Sequence, residues 1–89
     1  MSAIDTVFQE MVRDELASAR AQNKGRFNSA HEALAVIREE YVEFETEVFK
    51  KPIARSQSNM LHELIQLAAM AQRAAEDLGL VTGGMPSVN

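Results

Sequence analysis

The chain contains no cysteine and no tryptophan, and it has a single tyrosine. Without cysteine it can form no disulfide, present no thiolate nucleophile and build no Cys-ligated zinc site. With so few large aromatics, the filling of a core falls to Leu, Ala, Met, Val and Phe. Positive charge is also scarce, with nine Lys and Arg against thirteen Asp and Glu, a net charge of −4 and a pI near 5.1. That balance disfavours attraction to nucleic acid or an anionic membrane, and no basic recognition helix is present to suggest a DNA-binding regulator. No apolar run approaches the roughly 20 residues of a transmembrane helix. Residues Met1 to Phe8 have neither a basic start nor a continuous apolar stretch, so no export signal is expected and the predicted location is cytoplasmic.

What is present describes one small domain. At 89 residues, 46% hydrophobic and 25% charged, the chain lies near the lower end of what its own core can stabilise, and association with copies of itself is expected. No alternation long enough for a strand competes with the helical periodicity. The spacing predicts a first helix over about Ala3 to Ala21, broken at Asn23-Lys24-Gly25. A second begins at the capping box Ser29-Ala30-His31-Glu32 and ends by Pro52. On it Ala30, Leu34, Ile37, Tyr41, Phe44 and Val48 alternate steps of four and three, which reads as the core seam. The third helix starts between Ile53 and Ser58 and reaches Leu78, with Gly79 suited to the position after it. Its apolar residues run around more of its circumference than two neighbours require, which points to a subunit interface. The fold class is therefore all-α: an antiparallel helical hairpin plus an N-terminal helix over residues 1–80, assembling into an oligomeric bundle. Residues 81–89 read as a flexible tail.

The chemistry lies on the hairpin. At 100° per residue Glu40, Glu43 and Glu47 fall within about 60° of one another, while Glu39 points elsewhere. Folding about Lys51 or Pro52 pairs positions whose numbers sum to about 103, which sets Glu40 beside Glu63 and brings Glu43 and Gln66 toward the same cleft. Like charges gathered at the edge of a core repel and resist desolvation unless a cation joins them. Oxygen-only donors suit Mg2+, with Mn2+ as a second fit. Zinc would want His or Cys, but His31 belongs to the capping box and His62 lies about 100° away from Glu63.

Glu39-Glu40-x-x-Glu43, a spacer, then Glu63 and the position three later resemble the EExxE…ExxD signature of the MazG-like all-α nucleoside triphosphate pyrophosphohydrolases, over about Asn28 to Leu78. The resemblance implies a homodimer or homotetramer that hydrolyses a nucleoside triphosphate to the monophosphate and pyrophosphate with Mg2+. By position it makes Glu40, Glu43 and Glu63 metal ligands and Glu39 an accessory acid, so that Glu39 and Glu40 are the candidate catalytic acids. Gln66 stands where the family has aspartate. It would ligate or position a water within a variant site, or else mark a catalytically silent module that binds a nucleotide or protein partner. Substrate phosphates need cations, and Arg73, about 80° round from Glu63, is the candidate among Lys24, Arg26, Lys50, Lys51 and Arg55.

Overall fold

The computed structural model describes residues 3–83. Helix α1 spans Ala3–Gln22, α2 Ala30–Val48 and α3 Gln57–Asp77, followed by a single turn, α4, at Leu80–Gly83. The expected tail thus begins with a helical turn, and residues 84–89 lie outside the described part. Among the described residues no helix is long and apolar enough to cross a membrane.

Local chemistry sets the ends of these helices. Ser29 is extended and its Oγ accepts the Glu32 N–H at 3.1 Å. Glu32 reaches one residue further back than a reciprocal capping box requires, accepting from the backbone and side-chain amides of Asn28, both at 3.3 Å. Two N–H donors near the start of α2 are satisfied in this way. Ser56 does the same for α3, accepting from the Asn59 N–H at 3.1 Å. Beyond α3, Gly79 takes φ +72, a left-handed conformation that a side chain would strain. Helix α2 stops at Val48, four residues before Pro52, because Phe49 leaves the helix and the Arg55 guanidinium donates to the Val48 carbonyl at 2.6 Å.

Helix α3 occupies the centre, packed against both α1 and α2, while α1 and α2 are not neighbours of each other. Val12, Leu16, Phe27, Ala33, Ala69, Met70 and Ala74 form the buried cluster, with Phe8, Val36, Ile37 and Leu78 packed around it. The seam expected on α2 is displaced. Leu34 and Tyr41, expected in the core, are 61% and 49% exposed, whereas Ala33 is 2% exposed and Glu47 6%. The wheel explains the difference: the line Ala33, Glu40, Glu47 runs along α2 beside the apolar stripe, and it is this line that faces α3.

Two polar staples hold the layer in register. At the hairpin, Glu47 accepts the Ser56 N–H at 3.1 Å and the Lys50 ammonium at 2.7 Å. Those partners, Lys50 first and Ser56 next, hold its carboxyl below the ordinary value against the opposing effect of burial. At the other end, Asp77 has a fully buried carboxylate, which accepts the Phe27 N–H at 3.0 Å and faces Arg20 at 3.0 Å and Arg73 at 3.5 Å. Burial works against its ionisation, but the Phe27 N–H and the guanidinium of Arg20 prevail and keep its pKa low.

Candidate metal centre

The Glu47 staple fixes how α2 slides against α3, and so fixes which side chains meet two turns further on. Glu40 and Glu43 of α2 and Glu63 of α3 each offer a carboxylate oxygen, and these oxygens lie within 4.8 Å of one another. Glu40 and Glu63 are half-buried and Glu43 is exposed, so the cluster opens to solvent on one side. This is the meeting of Glu40 with Glu63 that the hairpin arithmetic predicts.

The electrostatics are those of a site short of positive charge. Desolvation first, then the charges of Glu43, Glu63 and Glu39, push the Glu40 carboxyl up to about 7. Glu63 is raised too, by desolvation first and then by its contact with Glu43. One buried oxygen of Glu40 and one of Glu63 have no hydrogen-bond donor. Carboxylates can only accept, so a cluster made of them is completed by a shared proton or by a cation. Three such oxygens from two helices, open to solvent for the remaining positions, could hold a hard divalent ion of the Mg2+ or Mn2+ type. The donor set fits the ion that the sequence predicts. Adjacent ligand oxygens around octahedral Mg2+ stand about 3 Å apart, so oxygens up to 4.8 Å apart would each move inward by about 1 Å to share one ion.

The chain matches no protein-family model, no curated protein and no solved structure. The geometry and the chemistry of the residues therefore carry the functional reading.

Of the other predicted site residues, Gln66 is half-buried on α3, one turn beyond Glu63, and Glu39 is exposed outside the three-carboxylate group. Arg73, the candidate for substrate phosphates, has other work. It is 4% exposed, donates to the carbonyls of Asn23 at 2.9 Å and Gly25 at 2.6 Å, and sits 4.8 Å from the Phe27 ring centroid. Its guanidinium ties the α1–α2 loop to α3 and in this arrangement is not free to meet a phosphate. Two roles escape the sequence reading. Glu47 shares a helix face with Glu40 and Glu43 yet serves the hairpin, which the nearness of Ser56 in the chain could have suggested. Asp77 anchors three elements. Its signal was the i, i+4 spacing from Arg73 on α3.

Proposed function

We propose that this protein binds Mg2+ through Glu40, Glu43 and Glu63 and uses it to hydrolyse a nucleoside triphosphate to the monophosphate and pyrophosphate. The single observation that carries the reading is the meeting of these three carboxylates from α2 and α3, with donorless buried oxygens on Glu40 and Glu63. The EExxE…ExxQ pattern of the same residues supplies the substrate class by resemblance. When bound, the ion would polarise a phosphoryl oxygen and lower the pKa of a coordinated water. The three glutamates would hold the ion and, by their excess charge, keep the cleft selective for cations. Glu40, within the cluster, would take the proton from water, and Glu39, which points away from the cleft, would serve as accessory acid through a bend in α2 or from a second subunit. Room for the nucleoside is at hand. A cavity of about 330 Å³ under the α1–α2 loop is lined by Phe27, Asn28, Glu32, Val36 and Arg73 among others. Val36 is one helical turn from Glu40.

A second reading is favoured by Gln66 and by the state of the basic side chains. Arg20, Arg73, Lys50 and Arg55 are all engaged by protein groups. A site with one charge fewer than the family pattern and few free cations suits a module that binds a nucleotide or a partner without turnover. Pyrophosphate release from a panel of ribo- and deoxyribonucleoside triphosphates, with and without Mg2+, separates the two when run beside Gln66→Asp. Turnover by the wild type establishes the hydrolase. Turnover by Gln66→Asp alone marks a silenced site, and silence in both refutes the hydrolase reading.

A further inference from the structure

The outer edge of the apolar stripe on α2, at Leu34 and Tyr41, is left without a partner by the fold, while Ile37 on its inner edge packs against the core. Helix α3 takes the neighbouring line of Ala33, Glu40 and Glu47, and α1 packs on α3 and not on α2. What remains is a face on which Leu34 is 61% exposed, Tyr41 49% and Phe49 80%. Alongside Tyr41 it carries an apolar groove of about 270 Å³, lined by Tyr41, Phe44, Glu45, Val48 and Phe49. A fully buried aromatic side chain covers roughly 150–250 Å², so the exposed parts of Leu34, Tyr41 and Phe49 supply a few hundred Å² per chain, the apolar centre of an interface whose flanks bring it toward about 800 Å² a side.

We propose that this face is the contact between two copies of the chain, paired α2 against α2 in antiparallel fashion about a two-fold axis near Tyr41. Two features of one helix meet this geometry independently. First, Leu34 and Val48 stand seven residues either side of Tyr41, about 10.5 Å in each direction. A two-fold at Tyr41 therefore lays the protruding Leu34 of one copy into the groove beside Val48 of the other. Second, Arg38 and Glu45 are both exposed and lie on the same flank of the stripe, away from α3. Antiparallel helices bring like flanks together, so the same axis sets Arg38 of each copy opposite Glu45 of the other, and the pair occurs twice. A parallel pairing would lose both matches. This contact is independent of the carboxylate cluster, which faces α3, and stands whether or not the protein hydrolyses a nucleotide.

Sedimentation equilibrium of the full chain at tens of micromolar, with far-UV circular dichroism to follow the helices, tests the inference. The wild type is expected at twice the 9.9 kDa chain mass, and Leu34→Glu, at an exposed position, at the monomer mass with its helicity kept. Glu45→Arg should weaken the dimer at least about tenfold, because the symmetry makes each substitution count twice. Arg38→Glu combined with Glu45→Arg should restore it. A monomeric wild type, or a dimer indifferent to Leu34→Glu, overturns the interface. A charge-swapped double variant no tighter than Glu45→Arg alone overturns the antiparallel pairing.

Discussion

Glu40→Gln should make the metal-free protein more stable, by a margin that opens above pH 4.5 and is complete above about 7. The Glu40 carboxyl has its pKa raised from 4.5 to about 7, by desolvation first and then by neighbouring carboxylates. The folded state thus holds that proton more tightly than the unfolded chain does. Its contribution favours the fold fully below pH 4.5 and is lost as pH rises through 7. At 1.36 kcal/mol per unit, the shift has a ceiling of about 3.4 kcal/mol. Partial exposure and sharing of the proton with Glu43 and Glu63 reduce the realised effect to about 1–2 kcal/mol. Glutamine keeps the shape and carries no charge. The two proteins should therefore unfold alike at about pH 4, and at pH 8 with chelator the variant should melt several degrees higher, since 1 kcal/mol moves a domain of this size by about 4–8 °C. Added Mg2+ should reverse the order, stabilising the wild type by about 2.7 kcal/mol at a hundred times its dissociation constant and the variant much less. Urea unfolding from about pH 4 to 9, with chelator and with Mg2+, measures all of this. Parallel pH profiles for the two proteins, or a variant less stable at pH 8 without metal, would refute the reasoning.

The other tests address the staples and the variant position. Glu47→Gln should loosen the hairpin, lowering the urea midpoint at neutral pH. Because its partners depress the Glu47 pKa, the loss relative to wild type should shrink as pH falls through the acid range, and a pH-independent difference would count against the ion pair. Asp77→Ala leaves the Arg73 guanidinium and the Phe27 N–H without their carboxylate and should cost about 3 kcal/mol, with faster amide exchange across residues 23–28; a loss under about 1 kcal/mol would show the cluster to be incidental. Gln66→Asp should tighten Mg2+ binding in calorimetry by restoring a charge beside Glu63, and an unchanged affinity would place residue 66 outside the metal's reach.

Local rules made much of this molecule legible before any tertiary structure. Ser29 and Gly79 mark helix ends because caps are satisfied within a few residues, and the described helices lie within a few residues of the expected ones. The meeting of Glu40 with Glu63 was also readable, since a short connection leaves an antiparallel hairpin little freedom in register. Helical spacing does not choose between adjacent stripes. Leu34–Tyr41–Val48 and Ala33–Glu40–Glu47 are both regular lines on α2, and the second faces α3 because small Ala33 admits close approach and Glu47 caps the hairpin through Ser56. Arg73 shows the same limit at the other end of the fold. Its place on the wheel suggested a ligand, and only the return of the Asn23–Phe27 loop onto α3 assigned its donors to backbone carbonyls and its charge to Asp77. Sequence alone determined the helices, their ends and the carboxylates that converge, because those depend on neighbours in the chain. Which face is buried and which cations are already engaged depended on groups 50 and more residues apart, and the tertiary structure decided both.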